Sequence, residues 1–230
     1  MSWVEDAKRR AVVKALQPVR NGWIIGVGSG TTTAYALAEI SRLAKVKRME
    51  LSIVPTSHQI EHMAIAHGLR IRTMNEVHTV DYAIDGADQV EVPSLDMVKG
   101  RGGAMLREKI VDSAANKLAI AVDERKLTKH LGEKQPVPLE VLPLAYKSIQ
   151  AKITNMGGRA RLRESKGKVG PVVTDNGNFI LDADFGWIAS ATQMDHKLKM
   201  LPGVLETGLF LKMADCVYVG RKDGKVEVLK

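Results

Sequence analysis

Short apolar runs alternate with longer amphipathic segments over the first 130 residues of the chain. The runs have the length of strands, and the segments between them carry apolar residues at helical spacing. This alternation predicts βαβ units and a parallel sheet. The predicted helices are 4–16, 33–44, 58–67 and 104–115, and the predicted strands are 23–27, 50–54, 69–73, 81–84 and 117–122.

The pattern changes after about residue 130. Asp175-Asn176-Gly177 between two apolar runs predicts a hairpin, and Gly157-Gly158 predicts the end of a helix. Further elements are predicted at 136–141, 144–156, 160–163, 189–200, 205–211, 216–220 and 225–229. We therefore expect an α/β fold of two domains. Residues 1–130 and 206–230 would form a Rossmann-like parallel sheet with helices on both faces, and residues 131–205 a smaller α+β, ferredoxin-like domain that contributes to oligomer contacts.

The composition is that of an ordinary globular protein. The chain has 230 residues, of which 45% are hydrophobic and 26% charged. It contains no apolar run of about 18 residues, and its first residues lack the apolar core of a signal peptide. A single cysteine, Cys216, excludes an internal disulfide. We expect a cytoplasmic protein that has no membrane partner.

The formal net charge of +8 fits either a nucleic acid or a small anionic substrate. Basic residues are scattered along the chain, and aromatic residues make up only 4%, too few for a base-stacking surface. A phosphorylated metabolite is therefore the preferred partner, and nucleic acid binding is not expected.

Each of four predicted strands runs into a polar or glycine-rich turn. Ligands of open α/β sheets bind beyond the carboxyl ends of the strands, so these turns mark the expected site. They are residues 28–32, 55–57, 85–88 and 123–126.

The first turn lies in the segment GVGSGTTT, residues 26–33. Its glycine spacing fits neither a Walker A loop nor a dinucleotide fingerprint. Exposed backbone N–H groups and hydroxyls at a helix start favour a single phosphate. An ordinary tight turn with a Ser/Thr cap is the alternative.

The segments DGAD and KGRGGAMLREK supply carboxylates and a lysine. Asp85 and Asp88 could bind sugar hydroxyls, hold a metal ion or cap local structure, and the residues alone leave these possibilities open. Lys99 could stabilise an oxyanion beside the close-approaching backbone of the glycine-rich loop. Without the family resemblance, the position of Glu108 in the first turns of a helix predicts a solvent-exposed side chain that complements the helix dipole.

Two further features are not expected to be functional. His58-Gln59-Ile60-Glu61-His62 has the spacing of inverted zinc proteases but no evident third ligand. Cys216 lies in an apolar run, so we expect a core residue rather than a nucleophile.

Seven segments of the chain follow one another in the same order as in type A ribose-5-phosphate isomerases. They are GVGSGTTT, DGAD, KGRGGAMLREK, DERK, PVPLEV, TDNGNFILD and LPGVLETGLF. The chain resembles that family over nearly its whole length. The resemblance implies interconversion of ribose 5-phosphate and ribulose 5-phosphate without a metal ion or organic cofactor, in homodimers or homotetramers.

The resemblance also implies residue roles. Glu108 would be the proton-shuttling base, and Lys99, Asp85 and Asp88 would surround the reacting end of the sugar. The residues implied to hold the substrate and its phosphate are Ser29, Gly30, Thr31, Thr32, Gly86, Ala87, Gly100, Arg101, Gly102 and Lys126.

Two positions depart from the family pattern. Arg101 stands where the family loop usually has a glycine, and Arg would be strained there if the position needs a positive φ. Gln89 replaces the acid that usually follows DGAD.

The alternatives to the isomerase function are an amino-sugar-phosphate deaminase, a CoA transferase that uses Glu108 as nucleophile, and a non-catalytic sugar-phosphate sensor.

Overall fold

The computed structural model describes residues 2–230, apart from the side chain of Lys168. The helices are α1 (Trp3–Ala15), α2 (Thr31–Val46), α3 (His58–Ala66), α4 (Met105–Ser113), α5 (Tyr146–Asn155) and α6 (Ala191–Lys199). The first nine strands are β1 (Ile24–Val27), β2 (Ser52–Pro55), β3 (Arg70–Ile71), β4 (Tyr82–Asp85), β5 (Gln89–Glu91), β6 (Met97–Val98), β7 (Leu118–Asp123), β8 (Leu127–Thr128) and β9 (Val137–Val141). The others are β10 (Arg159–Leu162), β11 (Glu164–Ser165), β12 (Lys168–Pro171), β13 (Phe179–Asp184), β14 (Val204–Thr207), β15 (Leu209–Phe210), β16 (Cys216–Gly220) and β17 (Val226–Leu229).

Contacts divide the chain into two compact units. The first unit contains Met1–Ala87, Arg107–Lys126 and Met213–Lys230, of which the structure describes all but Met1, and the second contains Asp88–Leu106 and Leu127–Lys212. The expected division placed residues 88–106 with the parallel sheet. They lie in the second unit because β5 and β6 pair with β8 and β15 rather than with β4 or β7.

The first unit is built on a seven-stranded sheet in the order β17-β16-β7-β4-β1-β2-β3. All neighbours are parallel except β16 and β17, which form an antiparallel hairpin over the elements predicted at 216–220 and 225–229. The buried strand β7 is apolar until Asp123, as expected for a strand covered on both faces. The core of the first unit packs residues of β1, β4 and β7 against the apolar faces of α1, α2 and α3. The predicted Rossmann-like parallel sheet is confirmed.

Helix starts in this unit follow from local sequence. Ser2 and Glu5 form a reciprocal capping box at α1. The Ser57 hydroxyl accepts a hydrogen bond from the Ile60 N–H at α3. These caps fix the residues at which the two helices begin.

The second unit has a four-stranded antiparallel sheet, β10-β13-β9-β14, and a second small sheet, β15-β6-β5-β8. Ile149, Ile153 and Leu198 of α5 and α6 pack with buried residues of the first of these sheets. This α+β arrangement was predicted, but β5, β6 and β8 were not. Runs of two or three residues are too short to show a strand period.

Among the described residues, no helix is both long and apolar enough to span a membrane.

Candidate active site

The glycine-rich turn after β1 is held in place by close packing. Gly30 has φ 114°, a backbone conformation that disfavours any side chain. A Cβ on Gly28 would lie 1.8 Å from carboxylate atoms of Asp85. Gly30 is also the N-cap of α2 and has no side chain with which to cap it. The first N–H groups of α2 are therefore suited to an anionic ligand.

Three hydroxyls meet beside this turn. Ser29 Oγ lies 2.8 Å from Thr56 Oγ1 and 2.7 Å from Ser57 Oγ. Thr56 in turn donates to the Val27 carbonyl at 3.0 Å. The polar turn after β2 was part of the expected site edge, but Thr56 and Ser57 were not named as site residues. The parallel pairing of β1 with β2 brings them to Ser29.

Lys8 is a cation at this turn that sequence reasoning missed. Its Nζ donates to Thr31 Oγ1 at 3.2 Å from the middle of α1. Lys8 is one of several basic residues in an amphipathic helix, so its local sequence carries no signal. Only the packing of α1 against α2 brings it there.

Glu108 is the fourth residue of α4 and is only 4% exposed. Its Oε1 accepts a hydrogen bond from the Ser29 N–H at 3.2 Å. The interpretation as a solvated glutamate is wrong, because the side chain points into the unit. The carboxylate instead lies at the glycine-rich turn.

Asp85 ends β4 and is fully buried. Its Oδ1 accepts the Gly86 N–H at 2.6 Å. A Cβ on Gly86 would lie 3.6 Å from Thr32 Cβ, so the two turns adjoin each other. The first unit thus brings Asp85, Gly86 and Glu108 to the turn of Ser29, Gly30, Thr31 and Thr32. The half-buried Ala87 is the last residue of the first of its three segments.

Lys126 ends the short 3₁₀ turn that follows β7. Arg125 Nε donates to Asp123 Oδ1 at 2.6 Å, which fixes the start of that turn. Burial of Asp123 opposes its ionisation, but the hydrogen bond and charge of Arg125 prevail and lower the pKa of this carboxyl. Lys126 therefore follows the carboxyl end of a strand that neighbours β4.

The second unit carries Asp88 and Lys99. The Lys99 side chain is 3% exposed, and its Nζ lies 5.1 Å from the centre of the Phe210 ring. The Lys99 N–H donates to the Gly208 carbonyl at 2.8 Å. Asp88 Oδ2 accepts the Arg101 N–H at 2.9 Å, so this carboxylate holds the glycine-rich loop.

The loop needs glycine at only some of its positions. Gly100 has φ 105° and Gly103 has φ 79°. Arg101 is not among the residues with a positive φ. The strain considered for Arg101 is therefore absent, and its side chain is exposed.

Gln89 has a local structural explanation. It is fully buried, its Nε2 donates to the Gln135 carbonyl at 3.0 Å, and its Oε1 accepts the Gly132 N–H at 3.0 Å. An amide makes both bonds, whereas a carboxylate only accepts.

The structure places the two features that were not expected to be functional. His58 Nδ1 lies 3.3 Å from Glu61, and no group of three or more His, Cys, Asp or Glu side chains in the described chain is arranged to hold a metal ion. Cys216 is 2% exposed, and burial raises the pKa of its thiol. A buried thiol of this kind is a poor nucleophile.

Fold and site together define an α/β protein with a glycine-rich turn suited to an anion at the carboxyl ends of parallel strands and a buried carboxylate against that turn. Residues 52–224 match the family model of ribose 5-phosphate isomerase A, also called phosphoriboisomerase A. The chain belongs to the ribose 5-phosphate isomerase A family.

Curated relatives and solved structures agree with this assignment. The chain is 43% identical to ribose-5-phosphate isomerase A of Pyrococcus horikoshii, covering 96% of both chains. It is 39% identical to the human ribose-5-phosphate isomerase, covering 99% of this chain and 74% of the relative. A solved D-ribose-5-phosphate isomerase in complex with phospho-erythronic acid superposes with a TM-score of 0.96 at 41% identity, covering all of both chains.

Proposed function

We propose that the protein is an aldose-ketose isomerase that interconverts D-ribose 5-phosphate and D-ribulose 5-phosphate in the non-oxidative pentose phosphate pathway. Family membership supports this proposal, as does the phosphorylated sugar acid in the solved relative. The observation that carries it is the 3.2 Å hydrogen bond from the Ser29 N–H to Glu108. This bond puts a candidate base at the anion-binding turn.

Glu108 is the base in this proposal. The reaction moves a proton from C2 of the open aldose to C1 through an enediolate. One carboxylate serves both carbons when the enediol is cis, because C1 and C2 then present the same face. Backbone contact from Ser29 orients the carboxylate for this task.

The phosphate binds at the Ser29–Thr32 turn. Backbone N–H groups at the start of α2 and the hydroxyls of Ser29, Thr31 and Thr32 are donors for its oxygens. Lys8 and Lys126 add positive charge, with Lys8 supported by its hydrogen bond to Thr31. Binding the remote phosphate positions the reacting end of the sugar.

The remaining roles rest on the family resemblance. Lys99 and backbone amides of the loop at Gly100, Arg101 and Gly102 stabilise the enediolate oxygen. Asp85 and Asp88 orient hydroxyls and assist ring opening, beside the small Gly86 and Ala87. The division of labour between the two aspartates is tested by separate Asp→Asn variants.

No metal ion or organic cofactor takes part in this proposal. The protein acts as a homodimer or homotetramer in the cytoplasm, and the second unit contributes to the oligomer contacts. The oligomeric state is measured by light scattering.

The test uses purified, EDTA-treated protein with ribose 5-phosphate and follows formation of the ketose. Rapid conversion, unchanged by added Mg²⁺ or Zn²⁺, is the expected result. No conversion would overturn the proposal. Ammonia release from an amino-sugar phosphate or a thioester trapped on Glu108 would then favour the deaminase or the transferase.

A further inference from the structure

Arg163 connects the antiparallel sheet of the second unit to the glycine-rich loop. It follows β10, and its backbone is fixed by two hydrogen bonds, from its N–H to the Ile180 carbonyl at 2.9 Å and from the Val172 N–H at 2.8 Å. Its side chain is only 16% exposed. The backbone that carries the guanidinium is therefore held in place on both sides.

Asp182 of β13 fixes the plane of this guanidinium. Arg163 Nε donates to Asp182 Oδ2 at 2.9 Å, and Nη2 donates to Oδ1. A bidentate pair of this kind sets both the position and the rotation of the arginine fork. Nη1 is left facing away from the carboxylate.

Nη1 donates to two consecutive carbonyls of the loop, to Gly100 O at 2.8 Å and to Arg101 O at 3.0 Å. Because a trans peptide group directs its C=O and N–H in opposite directions, the Gly100–Arg101 peptide is held at both ends. Arg163 holds its oxygen, and Asp88 Oδ2 accepts its N–H at 2.9 Å. The Arg101 carbonyl is held in the same way, which points the Gly102 N–H away from Arg163.

The geometry points to Arg163 as a positioning residue for the reaction. Anchored by Asp182, it sets the orientation of the loop peptides that follow Lys99 and supports the bond from Arg101 to Asp88. This inference rests on the proposed function, in which these groups act on the sugar. Neither Arg163 nor Asp182 needs to touch the substrate.

Lysine cannot replace this arrangement. Its ammonium is a point charge without the planar fork, so it cannot hold a carboxylate bidentately and two carbonyls at once. Arg163→Lys therefore keeps the charge and removes the geometry.

The test compares Arg163→Ala with Arg159→Ala. Arg159 is the first residue of β10, which Arg163 directly follows, and it also pairs with an aspartate of β13, Asp184, at 3.0 Å. Its side chain is 82% exposed, and none of its described hydrogen bonds reaches the loop. We expect kcat to fall between about 10-fold and about 100-fold in Arg163→Ala, with KM changed by less than about threefold, since the phosphate turn is untouched. Arg159→Ala keeps wild-type kcat and KM.

Two further measurements separate positioning from simple destabilisation. A surface cavity of about 280 Å³ lined by Arg101, Gln135, Pro136, Pro138, Arg163 and Asp182 gives access to the site of the deleted side chain. We therefore expect guanidinium ion to restore part of kcat in Arg163→Ala but not in Arg163→Lys. Amides 100–103 should also exchange with deuterium faster in both variants than in wild type.

The outcomes are distinguishable. A wild-type protein inactive on ribose 5-phosphate removes the proposed function, while the exchange measurement still tests whether Arg163 orders the loop. An active wild type with an Arg163→Ala variant that matches Arg159→Ala in kcat and amide exchange overturns the inference. Should Arg163→Ala fail to fold, Asp182→Asn takes its place. This variant keeps the shape but loosens the fork, and unchanged kcat and exchange there would equally overturn it.

Discussion

The two glycine-rich segments, residues 26–33 and 99–104, are held by different forces. The first is fixed by neighbouring strands, because Gly28 packs on the Asp85 carboxylate and Ser29 contacts the hydroxyls that follow β2. The second is fixed by charged side chains. Arg163 donates a hydrogen bond to the carbonyl of the Gly100–Arg101 peptide, and Asp88 accepts one from its N–H. Both segments can be recognised in the sequence by their glycines, but the distant side chain of Arg163 that holds the second one cannot.

The glycines of the first segment should be the less tolerant ones. Gly28→Ala puts a methyl group 1.8 Å from the buried Asp85 carboxylate. We expect a loss of about 3 kcal/mol in unfolding free energy, at the upper end for overpacking, and severe loss of activity as Asp85 is displaced. Urea unfolding and the isomerase assay measure both. A Gly28→Ala protein of wild-type stability and activity would contradict the packing argument.

A charged pair also matters in the first unit, at the turn before Lys126. Arg125 lowers the pKa of Asp123 despite burial of the carboxyl. A depressed folded-state pKa contributes stability above the unfolded value of about 3.9, and this stability is lost as the pH falls through the folded pKa. Asp123→Asn should therefore be less stable than wild type at neutral pH.

The pH dependence provides the control for this prediction. The stability difference between Asp123→Asn and wild type should shrink as both are titrated below about pH 3.9, followed by guanidinium chloride unfolding at each pH. A difference that stays constant from neutral to acid pH would show that the pair contributes by packing alone.

The smallest effects are expected at two positions of the second segment. Gly102 has no atom within 4 Å of an added Cβ, and neither Gly102 nor Arg101 has a positive φ. Gly102→Ala should change stability by less than about 0.5 kcal/mol, and Arg101→Gly should cost less than about 1 kcal/mol through backbone entropy. Thermal unfolding measures both, and a large loss in either would mean that the loop backbone is more constrained than its φ angles indicate.

Gly100→Ala is the contrasting variant within that same loop. Its φ of 105° and the 2.7 Å approach of a Cβ to Met105 Sδ make substitution unfavourable. We expect a loss of about 1–3 kcal/mol, larger than for Gly102→Ala. Equal stability of the two variants would remove the distinction drawn between these glycines.

Sequence reasoning found the parallel sheet and the four polar turns because strand ends carry local signals in glycine, hydroxyl and acidic residues. It also placed Glu108 at the start of a helix, but residue physics alone assigned the side chain to solvent. Its burial depends on where α4 packs, which no local pattern encodes. Family resemblance supplied the role that the residues left open.

Two residues that contact the glycine-rich segments could not be recognised in the sequence for the same reason. Lys8 and Arg163 lie among basic residues that look like ordinary surface charges. Lys8 reaches Thr31 from a separate helix, and Arg163 reaches Gly100 from 63 positions along the chain. Such contacts arise only once the tertiary fold has formed.

The central claim is that Glu108 carries the proton between C2 and C1. Its most direct test is to run the reaction in D₂O with wild type, Glu108→Gln and Glu61→Gln, and to read deuterium at C1 of the ketose by NMR. Glu61 is the matched control, because it is also the fourth residue of its helix, while its side chain is 41% exposed. We predict that wild type and Glu61→Gln form ketose that carries deuterium at C1, and that Glu108→Gln forms it about 1,000-fold more slowly. A Glu108→Gln rate within about tenfold of wild type would contradict the account.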